Sequence, residues 1–531
     1  MTLDNKIPVV IGVSGHRRMH REDIPAIRAA VKSSLEKLIG QYPNTPFIML
    51  TSLAEGADLL CADVAEELGI SIAAALPFEL SEYEKDFDAE NLQKFRHHYY
   101  RAEQTFVVPA TEEPNGMPAR DFLFRQAGIY VAVHSHFLLA LWDGKPGQYG
   151  CGTADAVDFA LNGSYMPKNN ISVRSDSSQT VVHVVTPRGS GCESAGTVHF
   201  LGNTAGAAKM FALTDKFNQK ASKLPPSERK LLPTDRPAER ILDRMENVYL
   251  AASRISKDAA KQFRRTIALF AAGGTVLTMA FLLYDEAGLM WMILVCGAML
   301  LGALFMSLWA KHSDCHRRYI DCRALAESLR VQAYLRYAGS SIQAADLLSF
   351  AQREETGWIA NALITLSVGP EPDTVRDIRS CWVEAQHKYH YDSRWKSKSR
   401  ITVRDRMVNT AMIVSILVYV FAVFFELFCG GLLFSPKISV PDTDIIRTVM
   451  KIVLGSVSAF TLFISAYFGK LSLPRRLSDH SKMENFFKKM SDSLDLFGQT
   501  DELLSLLARE ELIENGNWYS YQSDNRPEII F

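Results

Sequence analysis

Three short segments carry the residue types suited to holding an anion: Gly12-x-Ser14-Gly15-His16-Arg17, Ser52-x-Ala54-Glu55-Gly56-Ala57-Asp58, and Asp143-Gly144 followed by Gly150-Cys151-Gly152-Thr153. Glycines let a backbone approach a ligand closely, and free N–H groups at a helix N-terminus favour a phosphate. Arg17 offers a bidentate phosphate contact, Ser52 and Thr153 offer hydroxyls, and Arg125 is a further cation for a phosphate. The expected ligand contacts are Gly12, Ser14, Gly15, His16, Arg17, Ser52, Glu55, Gly56, Asp58, Arg125, Asp143, Gly144, Gly150, Gly152 and Thr153. Glu55 and Asp155 are candidates for a catalytic carboxylate; neither a cofactor nor a metal is implied. His16 and His136 are both expected at the crevice. His97-His98 lies among Arg and Tyr residues and reads as a solvated helix end rather than a metal site.

The elements that must position these segments alternate strand and helix over residues 6–200, the pattern of a parallel sheet covered on both faces. Strands are predicted at 7–13, 47–50, 71–76, 105–108, 136–142 and 181–186, with helices at 24–40, 59–68, 121–134 and 154–161. Each of the three segments follows a strand and precedes a helix, so all three belong at the carboxyl edge of the sheet, where such folds bind ligands. The stretch 110–120 has the length and composition of a lid, whereas 162–179 and 186–197 read as mobile.

The three segments together resemble the SLOG superfamily, which includes DprA-like and LOG-like Rossmannoid domains. Ser52–Asp58 is similar to the DprA-type turn, with Leu53 where the first glycine would stand. Gly150–Thr153 is similar to a compressed LOG-type phosphate loop with Cys151 inserted. The resemblance implies nucleotide binding. It does not extend to catalysis, because Ala156 stands where phosphoribohydrolase members place their glutamate and Asp155 or Asp158 would have to substitute.

The chain has 531 residues and a formal net charge of −1, so its composition gives no sign of a nucleic-acid partner. Met1–Val13 lacks the charged start, apolar run and cleavage pattern of a signal peptide. Eight cysteines without CxxC pairs or zinc spacing imply a reducing compartment and no disulfides. Apolar residues collect in four runs at 266–284, 287–310, 408–425 and 446–468, each long enough to span a bilayer as a helix. Lys and Arg flank the first and third runs on their N-terminal side and the second and fourth on their C-terminal side. That asymmetry predicts a multi-pass inner-membrane protein with both termini in the cytoplasm. Ala298 with Gly302, and Gly455 with Ala459, are candidates for close helix approach, while Glu426 is the acidic residue that touches a span.

The expected architecture is an N-terminal doubly wound, Rossmann-like parallel sheet followed by an all-α domain of four transmembrane helices. Its divisions are a nucleotide-binding domain (1–205), a helical linker (206–255), a first two-helix membrane unit (256–345), a cytoplasmic connector (346–400) and a second membrane unit (401–531). Each hairpin continues into a long amphipathic helix, Arg317–Arg336 and His480–Leu496, and with Asp501–Tyr519 they resemble SLATT-type membrane effector units. The two resemblances imply an effector of bacterial conflict systems that senses a nucleotide-derived ligand and permeabilises the membrane as a homo-oligomer. The alternatives are a membrane-anchored nucleotide N-glycosidic hydrolase and a non-catalytic scaffold.

Overall fold

The computed structural model describes residues 5–110, 116–147, 150–162, 179–188, 193–225, 230–429 and 442–524. The chain divides into two compact units. The first gathers residues up to Arg254 with Arg323–Ile378 and Gln499–Gly516, and the second Ile255–Cys322, Arg379–Gly498 and the chain from Asn517.

In the first unit, seven strands form one sheet: β1 Val9–Gly15, β2 Phe47–Thr51, β3 Ser71–Leu76, β4 Gln104–Val107, β5 Phe137–Trp142, β6 Thr180–Val185 and β7 Val198–Leu201. Their order is β4-β3-β2-β1-β5-β6-β7, and every pair is parallel except β6 with β7. The chain builds outward from β1 to β4, then returns to lay β5 on the other side of β1, so the topological switch point falls between β1 and β5. The central strands are near-continuous apolar runs because both of their faces are covered. Alternation along β1 shows the two faces. Val9, Ile11 and Val13 pack with Ile27 and Val31 of α1 (Ile24–Gln41) and Leu60 and Val64 of α2 (Ala57–Glu67), and Phe95 of α3 (Ala89–Arg101) joins the same core. Val10 points the other way, into a core with Ile129 and Val131 of α4 (Ala119–His134) and Val157 and Phe159 of α5 (Thr153–Asn162). Val368 closes that second core, and Tyr130 of α4 both donates to the Gly369 carbonyl (3.3 Å) and accepts from its N–H (3.1 Å). Residues far along the chain therefore complete the α/β layer.

Several expectations change at this level. The strand predicted over 7–13 runs to Gly15, so Ser14 and Gly15 are still paired, with Ala140 and Leu141 of β5. The antiparallel β7 was not predicted, and it begins just beyond the stretch read as mobile. The proposed lid already enters α4 at Ala119, and its residues 111–115 lie outside the described residues, as do 163–178 and 189–192 of the two segments read as mobile. Residues 230–239, expected within a helical linker, are not helical, and they are pinned to the long helix α6 (Arg240–Glu286). The Arg236 side chain is only 6% exposed and is bonded to Asp243 (2.5 Å) and Glu246 (3.3 Å), and Leu232 donates its N–H to Glu246 at 2.9 Å.

Among the described residues, four helical stretches are long and apolar enough to cross a membrane: Arg240–Glu286, Met292–Tyr337, Arg379–Phe428 and Thr443–Phe497. They contain the first, third and fourth apolar runs read in the sequence, and the second from Met292 onward, since its first residues, 287–291, precede the helix. Their outer faces carry what a soluble protein would hide. Leu294 is 74% exposed, Phe305 72% and Leu417 63%. Facing lipid accounts for that exposure, and the protein is a membrane protein.

Within the second unit, α6 packs against α7 (Thr443–Lys470). A Cβ on Gly274 would stand 2.3 Å from the Phe463 ring, and one on Gly455 2.7 Å from Leu282 Cδ1. The pairings run in opposite senses along the two helices, which are therefore antiparallel. Gly455 and the buried Ala459 thus do the packing expected of them, whereas Gly302 meets nothing within 4 Å. Glu426 accepts two bonds from Arg447, at 2.7 and 2.8 Å, and Lys451 donates to Glu286 at 2.9 Å. Glu426 is thus neutralised by Arg447 rather than aimed alone at an aqueous path.

Candidate ligand-binding crevice

The three segments singled out above leave the sheet at β1, β2 and β5, which are adjacent. His16 binds them together. Its backbone N–H donates to the Leu141 carbonyl at 3.0 Å, and its own carbonyl accepts from Ala57 N–H at 3.1 Å. Its imidazole Nε2 accepts the N–H of Asp143 at 3.1 Å. Because a backbone N–H can only donate, Nε2 is bare and the neutral ring carries its proton on Nδ1. Burial holds the His16 pKa below the ordinary value, the nearby Arg188 charge lowers it further, and the Asp143 carboxylate pulls the other way.

The second turn is shaped by two left-handed positions. Leu53 has φ +53°, and the left-handed geometry costs a non-glycine residue about 1–2 kcal/mol. Its side chain is completely buried in the core, which offsets that cost. Leu53 thus holds, without being glycine, a conformation that glycine adopts freely. Gly56 has φ +89°, and a Cβ there would lie 2.1 Å from the Arg17 carbonyl oxygen, so the second turn sits directly on the first. Asp58 is buried beneath the turn. It accepts from the Thr51 hydroxyl at 2.9 Å, and burial pushes its pKa up to about 6 against the pull of its hydrogen bonds and of Arg17.

Arg17 is the cation common to these turns. Its guanidinium lies over the Phe124 ring, 4.4 Å from the centroid, and its charge is felt both by Asp58 in the second turn and by Cys151 in the third. Arg125 also acts on Cys151 and lies 5.7 Å from the Phe159 ring centroid. Burial, first, and the carboxylates Asp121 and Asp155 push the Cys151 thiol up, so it stays protonated. Gly144 and Gly150 both take positive φ, at +80° and +70°. Thr153 is buried at the first turn of α5. The arrangement is a polar edge of glycine turns with Arg17, Arg125 and Arg188 around it, which suits an anion of phosphate type.

Other expected residues have different work. Gly12 lies within β1, and a Cβ there would meet Ser135 Oγ at 2.6 Å, so its smallness serves the packing of α4 on the sheet and not a ligand. Gly15 is likewise a packing glycine, pressed between Ala57 and Leu141. Ser14 belongs to the strand, and Ser52 to the turn between Thr51 and Leu53. The Glu55 carboxylate accepts from Asn91 Nδ2 at 2.9 Å, and Asp155 Oδ2 accepts the Gly152 N–H at 2.8 Å. Both candidate catalytic carboxylates thus brace loops.

His136 is the clear misplacement. It precedes β5, at the amino edge, where its Nδ1 accepts the Val10 N–H at 2.9 Å. It is at the far end of the strand from the crevice. Arg188, in turn, was not singled out. It follows β6, and the rule that picked the other exits applies to it equally, but the Ser- and Gly-rich stretch around it drew attention to mobility instead.

By fold, this is a doubly wound α/β unit with a glycine-turn crevice at its switch point, in one chain with four membrane-crossing helices. No family model matches the chain, and no curated protein matches it.

Proposed function

We propose that the first unit senses a nucleotide-derived anion at the β1/β5 crevice, and that binding rearranges the four spans of several copies so that they permeabilise the inner membrane. The observation that carries this reading is the meeting of three glycine-bearing strand exits around Arg17, with His16 hydrogen-bonded to the second and third of them. The resemblance to SLOG domains and SLATT-type effectors supports this reading and a role in bacterial defence, and the Lys and Arg flanks of the four runs support cytoplasmic termini. Binding is favoured over hydrolysis because Glu55 and Asp155 are already engaged by Asn91 and Gly152. The four spans are largely apolar among the described residues, so the leak is assigned to an assembly of several copies. The ligand drives it only to the extent that it binds the leaking state more tightly than the closed one.

Membrane potential followed in bacteria expressing the full chain tests this reading. Depolarisation is expected with the natural protein under the conditions that raise the signal, and none with Arg17→Ala, although that variant still inserts. Depolarisation of equal size in both removes the sensing role.

A further inference from the structure

Helices α2 and α3 bring four metal-capable side chains to one seam, away from the crevice: Asp63 and Glu66 from α2, His97 and His98 from α3. His97 Nε2 lies 2.9 Å from Glu66 Oε2, and His98 Nδ1 lies 3.8 Å from the same oxygen. The three atoms are all within 4.8 Å of one another. Ligands bonded to one cation at about 2.0–2.2 Å stand at comparable separations after a small closing movement.

The fourth residue decides between a chance cluster and a built one. His98 Nε2 lies 2.7 Å from Asp63 Oδ1, and its ring is only 2% exposed, so it is not the solvated group that the sequence suggested. With Nε2–H donating to the carboxylate, the Nδ1 lone pair faces Glu66 and His97. This is how a second carboxylate fixes the tautomer and orientation of a metal-bound histidine. The nearby Arg101 approaches the other oxygen of Glu66, Oε1, at 3.2 Å, which leaves Oε2 on the histidine side.

We propose that Glu66, His97 and His98 bind one divalent transition-metal ion of zinc type, with Asp63 as the orienting carboxylate. Two imidazoles and one carboxylate select zinc, nickel or cobalt over magnesium or calcium. Three protein ligands leave a position for water. The ion bridges α2, which begins at the second crevice turn, to α3, whose Asn91 holds Glu55 of that turn. It is a clamp on the outer side of the helix pair, and it does not depend on what the crevice binds.

The test uses the full chain in detergent, stripped of metal, titrated with Zn²⁺ against a chromophoric chelator and with Co²⁺ as a spectroscopic probe. One tight equivalent per chain is expected, with a Co²⁺ spectrum that lacks thiolate charge-transfer bands. His97→Ala and Glu66→Gln each remove that equivalent. Asp63→Asn keeps it but weakens it by about 10–100-fold. His97 is 47% exposed, so its removal leaves the fold intact. The proposal is overturned by the absence of a tight equivalent, by thiolate bands that move the metal to cysteine, or by an equivalent that persists in both His97→Ala and Glu66→Gln.

Discussion

Gly56→Ala lowers the apparent unfolding midpoint of the detergent-solubilised chain by roughly 6–12 °C, taking about 3 kcal/mol at 2–4 °C per kcal/mol. Two costs combine. The backbone at Gly56, φ +89° and ψ −112°, is a region that side-chain-bearing residues rarely enter. The added Cβ would also stand 2.1 Å from the Arg17 carbonyl oxygen and 2.7 Å from that of His16, and backbone atoms cannot swing aside as a side-chain tip can. The first and second turns must then separate, which takes Arg17 out of register with Asp58. Gly69→Ala is the control. Gly69 also has positive φ, +69°, but a Cβ there meets nothing within 4 Å. The difference between the two variants isolates the contact between turns. Equal midpoints for Gly56→Ala and Gly69→Ala would show that the turns are not pressed together.

Stability also falls as pH drops from about 6.5 to about 4. His134 and His136 are buried, and burial lowers both pKa values to about 4. Each accepts a hydrogen bond on a bare nitrogen, His136 from Val10 N–H at 2.9 Å and His134 from Gln343 at 3.2 Å. A folded pKa below the unfolded one means that the unfolded chain binds more protons in that window. The stability is therefore fully present above pH 6.5 and lost as acid approaches the folded value. Each histidine loses about 3 kcal/mol across it. Asp58 works in the opposite sense. Its folded pKa of about 6 stabilises the protein as pH falls below that value. Asp58 offsets roughly one histidine, and a net loss of about 3 kcal/mol remains. His136→Asn supplies an acceptor oxygen to Val10 without titrating, and it should remove most of the net slope. A natural protein equally stable at pH 7 and pH 4.5, or a variant with an unchanged slope, contradicts this assignment.

The sheet was largely legible because its strands are buried on both faces and so appear as apolar runs such as Phe137–Trp142 and Thr180–Val185. The edge strand β7 escaped because Val198–Leu201 is four residues long and half-exposed, with only β6 beside it. The spans were legible for the same reason as the central strands: lipid on all sides leaves no polar face. Less visible was how far distant segments complete the first unit. Gly369 and Val368 gave no local signal of packing on Tyr130 and Gln104, since such contacts depend on tertiary placement alone.

At the candidate site, strand exits were readable because parallel topology sends all of them to one edge. The roles of single residues were not. Gly12 and Gly15 look like ligand glycines in sequence, yet they face Ser135 and Ala57. A glycine needed for packing and one needed for a ligand are the same letter. His136 fell on the wrong side because it stands at the amino end of β5, and in a parallel sheet that end lies opposite the edge where the strand exits gather. His97-His98 could not be judged without its partners, which lie some thirty residues earlier, on α2.

The central claim is that the β1/β5 crevice holds an anionic nucleotide derivative through Arg17. Equilibrium binding of NAD and of nucleoside monophosphates to the full chain in detergent, with Arg17→Ala alongside, measures it directly. Saturable binding of at least one of them is expected, with affinity falling at least tenfold in the variant, the loss of one charge-assisted contact of about 1.5–3 kcal/mol. Binding that is absent from the natural protein, or equal in both, would contradict the account.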